Sequence, residues 1–163
     1  MTEHQRLFLV QARSDFVVYR LLRSRPDLPA CHALHYLQMA TELLGKAHAW
    51  KHGPRSGSHR AFVGFVRSLS TNRRAQKRLG YGRNDTWEQM IRKSVPLAEK
   101  IEGLPPALDP DGPNPEYPWP RDAPHTAPAE HTFEIWNELQ ETAAGRRFLH
   151  LLGALFHAAE ALL

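Results

Sequence analysis

LPACHALHYLQMATELLGKAHAWKH, residues 28–52, is the longest uninterrupted amphipathic segment of the chain. Its apolar residues recur at steps of three and four positions, the spacing of one helix face: Ala33, Leu34, Leu37, Ala40, Leu44 and Ala47. The opposite side carries another stripe at the spacing of successive turns: His35, Met39, Glu42 and Lys46. The segment therefore predicts a long helix with one buried face and one face on which polar groups lie close together.

Helical spacing also governs most of the remaining chain, and no alternating strand pattern of useful length occurs. Residues 5–23 predict a first helix with a buried face made of Leu7, Val10, Val17, Val18 and Leu21. Pro26 and Pro29 end this helix and start the next, because proline suits the first turn of a helix but not its interior. Further helical elements are expected after Ser58, after Asp85 or Thr86, at 132–140 as a short element, and at 143–162.

These patterns predict one all-α domain over residues 1–163, folded as an antiparallel bundle of about five helices. Residues 70–82 are basic and poor in large apolar side chains, which predicts an exposed extension or a loose turn. Residues 105–131 hold nine of the 13 prolines and predict a long extended segment before the last helix. Tyr117 and Trp119 are large aromatics of the kind that usually pack. We expect this segment to run over the bundle surface with Trp119 inserted, or else to present its aromatics to a partner.

The composition is that of an ordinary soluble protein, with 42% hydrophobic and 23% charged residues. A single cysteine excludes an internal disulfide, so nothing points to an oxidising compartment. The apolar run at the N-terminus is too short for a signal peptide, and residues 148–163 fall short of the roughly 20 residues that a membrane span needs. We therefore expect a cytoplasmic protein with no membrane contact and no cofactor.

The net charge of +4 conceals a strong asymmetry along the chain. Residues 46–83 contain ten lysines and arginines and no acid, whereas residues 85–141 contain twelve acids against four bases. A block of one sign indicates an anionic partner such as RNA or a nucleotide. Alternatively, the block neutralises the acidic half of the same molecule or of a second copy. The candidate nucleic-acid-binding residues are Lys51, Arg55, Arg60, Arg73, Arg74, Lys77, Arg78 and Arg83.

The central segment resembles the second helix of the HEPN superfamily, small helical bundles named for higher-eukaryote and prokaryote nucleotide binding. The residues in register are Gln38, Ala40, Glu42, Lys46 and Ala47, while Leu43 stands where the family commonly has lysine. Residues 12–15, ARSD, are similar to the family's first helix, and Gly53 and Pro54 match its following turn. The resemblance covers residues 11–69.

This resemblance implies an RNA- or nucleotide-related bundle, usually a homodimer. Such bundles are often encoded beside a nucleotidyltransferase or within a toxin–antitoxin system. It also implies a polar cluster at a groove or dimer seam, formed by Arg13, Asp15, His35, Glu42 and Lys46. Catalytic members are metal-independent ribonucleases with an arginine, four to six residues, then a histidine. Only Arg25 and His32 fit that spacing, as candidate catalytic residues, and they lie in the loop before the second helix with two prolines between them. The usual motif is absent from its usual place, so binding is favoured over cleavage.

Histidine pairs one helical turn apart offer a different chemistry, because such pairs can chelate a metal from one helix. They are His32 with His35 and His48 with His52, although ten histidines in a chain of this length produce such pairs by chance. We therefore predict no metal site. Three alternatives to an RNA-binding module stay open: a dimeric protein-interaction bundle, a metal-dependent bundle enzyme and a noncanonical ribonuclease.

Overall fold

The computed structural model describes residues 1–50, 60–109, 111–120 and 124–163, and these residues contain no β-strand. They form seven α-helices. In chain order these are α1 (Glu3–Arg23), α2 (Ala30–Ala49), α3 (Ala61–Ser68), α4 (Arg73–Arg78), α5 (Asn84–Glu102), α6 (Glu134–Glu141) and α7 (Ala143–Leu162). The prediction of an all-α chain is confirmed. Within the described ranges, none of these helices is both long and apolar enough to cross a membrane.

Helix α2 lies at the centre of the core. Every residue of its predicted apolar face is buried, from Ala33 to Ala47. A second side of α2 is buried as well, because α3 packs closely against it. A Cβ atom at Gly45 would lie 2.5 Å from the backbone nitrogen of Phe62, so only glycine allows the two helices to approach this closely.

Helix α1 packs antiparallel to α2, and the side chain of Gln5 donates a 2.9 Å hydrogen bond to the carbonyl of Ala47. The predicted buried face of α1 was wrong. Leu7, Val10, Val17 and Leu21 are all more than half exposed. The buried residues are instead Gln5, Leu9, Ala12, Asp15, Phe16 and Tyr19.

The physical reason is that α1 carries two apolar stripes, and the buried one contains the larger side chains. Phe16 stacks on Phe156 of α7 with ring centroids 4.2 Å apart. Aromatic side chains remove the most apolar area from water, so the face that carries Phe16 and Tyr19 takes the core.

The prediction of an exposed extension or loose turn over residues 70–82 was also wrong in part. Helix α4 forms there because the Asn72 side chain accepts a 2.9 Å hydrogen bond from the backbone nitrogen of Ala75. Ala75 and Gln76 then face inward and are buried.

The proline-rich segment between α5 and α6 is fixed to the core by Trp119, which is 6% exposed. Its ring packs against His131 and Phe133, with centroids 5.1 and 6.1 Å away. Tyr117, by contrast, is 61% exposed. The expected burial of Trp119 is therefore found, whereas Tyr117 faces solvent.

Candidate nucleic-acid interface

Most of the described basic candidates lie on one short helix and the turn that follows it. Arg73, Arg74, Lys77 and Arg78 are exposed on α4, and Arg83 is exposed directly before α5. Arg60 precedes α3 and attracts the carboxylate of Glu102 electrostatically. Lys51 and Arg55 lie outside the described residues. The structure thus places four cations on the two turns of α4.

The basic block divides into cations that have an acidic partner and cations that do not. Lys46 pairs with Glu42, Arg67 with Glu99 and Arg83 with Asp85, at 2.5, 2.6 and 2.8 Å. Among the described residues, no acid pairs with Arg73, Arg74, Lys77 or Arg78. Part of the block therefore neutralises acids of the same molecule, while α4 keeps its positive charge available.

A glycine turn ends α4 and leads into α5. The backbone nitrogen of Gly80 donates to the carbonyl of Lys77 at 3.1 Å, and that of Tyr81 donates to the carbonyl of Gln76 at 3.0 Å. This pair of hydrogen bonds is a Schellman motif, which requires a left-handed residue after the helix. Gly80 supplies it with φ of 78°. No atom lies within 4 Å of a Cβ position at Gly80 or Gly82, so the backbone here is open to a ligand.

Helix α4, the glycine turn and the first residue of α5 line an open cleft of about 550 Å³. It is lined by Arg73, Gln76, Lys77, Gly80, Tyr81, Gly82 and Asn84. The volume lies within the range of small-molecule and cofactor sites. We call this feature the α4–α5 cleft.

Gln76 is the buried polar residue of the α4–α5 cleft, with 5% of its surface exposed. Its side-chain oxygen accepts a 3.0 Å hydrogen bond from Arg73, which fixes both side chains. Its amide nitrogen has no hydrogen-bond partner within the described ranges. Because the Gln76 side chain borders the cleft, this nitrogen is available to an acceptor on a ligand.

Tyr81 places an aromatic ring at the same cleft. The ring is half-buried and packs on Trp87, with centroids 5.0 Å apart and planes tilted by 50°. Burial raises the pKa of the Tyr81 hydroxyl, so the side chain is neutral at physiological pH. The arrangement combines cations, open backbone and a fixed aromatic ring.

The predicted polar cluster is distributed over four separate sets of contacts. Glu42 accepts hydrogen bonds from Gln38 and Lys46, so the Glu42–Lys46 part is brought together. Arg13 instead contacts Glu160 and the carbonyl of Phe156 on α7.

The other two members of that cluster contact different residues. Asp15 is buried and accepts from Gln11 at 2.8 Å. Nδ1 of His35 lies 3.5 Å from a carboxylate oxygen of Glu116 in the proline-rich segment, without a well-formed hydrogen bond.

The catalytic candidates Arg25 and His32 share no hydrogen bond or ion pair within the described ranges. Arg25 forms a two-pronged pair with Asp27 at 2.9 and 2.8 Å, while His32 is exposed in the first turn of α2. Cys31, its neighbour, is 2% exposed, and burial raises the pKa of its thiol, which disfavours the reactive thiolate. Within the described ranges, no three His, Cys, Asp or Glu residues lie close enough to hold a metal ion. His52, a member of one predicted pair, lies outside those ranges.

Sequence reasoning missed the uncharged lining of the α4–α5 cleft: Gln76, Gly80, Tyr81, Gly82 and Asn84. The available signal was Gly-Tyr-Gly at residues 80–82, one residue after a segment with four cations, since a glycine after a short basic helix is typical of a left-handed helix end. No model of a known protein family matches the chain, and no match was found among curated proteins or solved structures. Function is therefore inferred from the contacts, burial and charges of this chain's own residues.

Proposed function

We propose that the chain is a HEPN-like RNA-binding module and that its α4–α5 cleft binds RNA without cleaving it. The observation that carries the proposal is the charge on α4. Arg74, Lys77 and Arg78 are exposed and have no acidic partner within the described ranges. Unpaired cations on one short helix favour a phosphate backbone, because binding releases the counterions condensed on it.

Single-stranded RNA is favoured over a simple phosphate because the cleft also offers an aromatic ring. Proteins that bind single strands combine a positive groove with aromatic side chains on which bases stack. Tyr81 has the position for stacking, and Arg73 and Lys77 lie beside it for the phosphates. The side-chain amide of Gln76, which lines the cleft, can donate to a base or sugar oxygen.

Binding is favoured over cleavage because the cleft lacks the side chains that most often act as general bases at neutral pH. Its lining contains no histidine and no carboxylate. General acid–base chemistry needs such a group within hydrogen-bond reach of the substrate. Arg25 and His32 do not provide one here, since Arg25 is paired with Asp27 in a different part of the chain.

The test is fluorescence anisotropy with a labelled single-stranded RNA of about 12 nucleotides, at roughly 50 and 200 mM salt. We expect binding that weakens steeply with salt and RNA that stays intact on a denaturing gel. Absence of binding at the lower salt would contradict the proposed function. Ribonuclease activity that copurifies with the protein would contradict the proposal that the chain does not cleave RNA.

A second function, that of a protein-interaction bundle, is supported by a different observation. Helix α1 exposes Leu7, Val10, Val17 and Leu21 to solvent. Exposed apolar rows of this kind mark binding surfaces more often than isolated exposed residues do. The two functions use different helices and are compatible in one molecule.

A further inference from the structure

Helix α1 carries an apolar row that no described residue covers. Leu7, Val10, Val17 and Leu21 are 52, 53, 55 and 63% exposed. With Ser14 between them they recur at alternating steps of three and four residues. This is the heptad spacing with which one helix packs its side chains between those of another. We call these five residues the α1 stripe.

The α1 stripe is not needed to complete the hydrophobic core. Helix α1 already buries a complete apolar face, with Leu9, Phe16 and Tyr19 at 1, 8 and 1% exposure. Polar residues on the stripe side would serve solubility better, because a row of exposed leucine and valine promotes association. The heptad spacing of the row fits the seam between two packed helices, so the proposed occupant is a helix.

The charges along one edge of the α1 stripe indicate the chemistry of that occupant. Arg6, Arg13 and Arg20 follow this edge at intervals of one heptad. Arg6 and Arg13 are partly neutralised by Glu3 and Glu160. Arg20 is exposed and has no acidic partner among the described residues. The edge thus keeps a net positive charge, and Arg20 is its guanidinium without an acidic partner among the described residues.

A second copy of this chain does not complement that edge. Two α1 helices packed antiparallel would bring the arginine edges face to face, and like charges across such a seam are destabilising. Packed parallel, Arg6 and Arg13 would face Gln11 and Val18 of the other copy, which carry no charge. Acidic residues at the edge of the partner helix would pair with the arginines in either direction.

We propose that the α1 stripe is a docking surface for an amphipathic helix of another protein, whose apolar seam is bordered by acidic residues. The apolar seam supplies most of the affinity, because desolvation of leucine and valine is the larger effect. The acidic border determines the specificity for the partner helix.

The experiment uses two designed helical peptides of about four heptads, with leucine at the seam positions. One has glutamate along both borders and the matched control has lysine. Labelled peptide is titrated with the full chain and followed by fluorescence anisotropy. The glutamate peptide is expected to bind at least about tenfold more tightly than the lysine peptide.

Variants of the protein locate the surface. V17S/L21S is expected to weaken binding of the glutamate peptide at least about tenfold. It should leave the circular dichroism spectrum unchanged, since both side chains are more than half exposed. The control is Leu108→Ser, at an exposed leucine that lines a cleft with α3 and α5 residues. It should leave binding unchanged.

Three results would overturn the proposal. One is equal affinity for the glutamate and lysine peptides, and another is no binding of either. The third is a dimer in sedimentation velocity that V17S/L21S converts to monomer, which would assign the α1 stripe to a second copy.

Discussion

The indole nitrogen of Trp87 donates a 2.7 Å hydrogen bond to the backbone carbonyl of Leu69, and both residues are fully buried. This bond joins the first turn of α5 to the chain just before α4. The same indole ring supports Tyr81 at the α4–α5 cleft. One buried residue therefore contacts both the chain just before α4 and the aromatic ring of the candidate RNA site.

Replacing Trp87 with phenylalanine tests that role. The substitution removes one of the two hydrogen bonds that the Leu69 carbonyl accepts, the other coming from the backbone nitrogen of Asn72 at 3.0 Å, and it creates a small cavity. Together these effects should lower the free energy of unfolding by about 2 kcal/mol in urea denaturation. Trp136→Phe is the matched control, because the Trp136 indole nitrogen has no hydrogen-bond partner within the described ranges. A loss no larger in W87F than in W136F would contradict the assigned role.

Gly80→Ala tests the turn after α4. Gly80 has φ of 78°, a conformation that costs an L-residue with a Cβ atom about 1 kcal/mol. Open space around its Cβ position means that strain, not a clash, causes the loss. Gly82→Ala is the control, since Gly82 is equally open and is not among the residues with positive φ. Equal stability of the two variants in thermal or urea unfolding would contradict this assignment.

Ionisation of Glu102 should make the stability of the fold depend on pH. Its carboxylate accepts hydrogen bonds from the backbone nitrogens of Phe62 and Val63 at the start of α3, at 2.9 and 3.0 Å. Burial nevertheless raises the pKa of Glu102 above its ordinary value of 4.5. The folded state then binds the proton more tightly than the unfolded state, so stability falls as pH rises from about 4.5 to the raised pKa.

Glu102→Gln should remove this component, because the amide keeps an oxygen acceptor for the two backbone nitrogens and does not ionise. The difference in unfolding free energy between E102Q and the wild type should therefore shift in favour of E102Q as pH rises through that window. Urea denaturation at several pH values measures it. A difference that is constant with pH would show that Glu102 does not contribute.

Tyr81→Ala tests base stacking in the α4–α5 cleft. Loss of one stacking ring should weaken RNA binding by about 1–3 kcal/mol. The salt dependence should stay the same, because no cation is removed. Tyr81→Phe should bind normally, and Tyr117→Ala removes a ring that is 61% exposed in the proline-rich segment and should also bind normally. Equal losses in Y81A and Y117A would argue against a specific stacking role.

The helical class and the buried face of α2 could be predicted from sequence because α2 has a single apolar stripe at helical spacing. The same reasoning could not predict which face of α1 is buried. Its stripe with Leu7 and Leu21 has the cleaner spacing, but its stripe with Phe16 and Tyr19 buries more area once α7 packs against it. Spacing alone does not rank two apolar faces of one helix.

The cations of the candidate site could be predicted from the charge run, but not the cleft. Helix α4 has six residues, and its first turn is capped by one hydrogen bond that the Asn72 side chain accepts. A helix this short is not recognisable from the periodicity of its sequence. The cleft then depends on the left-handed turn at Gly80 and on Trp87, which lies several residues further along the chain. Such a site arises from packing between elements rather than from any one motif.

We propose that the unpaired cations of α4 bind the RNA backbone, and RNA titrations of R74Q/K77Q/R78Q across a range of salt concentrations test this most directly. The control is R20Q/R92Q/K93Q, which removes the same charge from exposed side chains without an ion-pair partner in the described ranges. We predict that the α4 variant loses at least about tenfold in affinity at low salt and that its salt slope falls by roughly 2, while the control stays within about twofold of wild type. Equal behaviour of the two variants, or no change in either, would contradict the account.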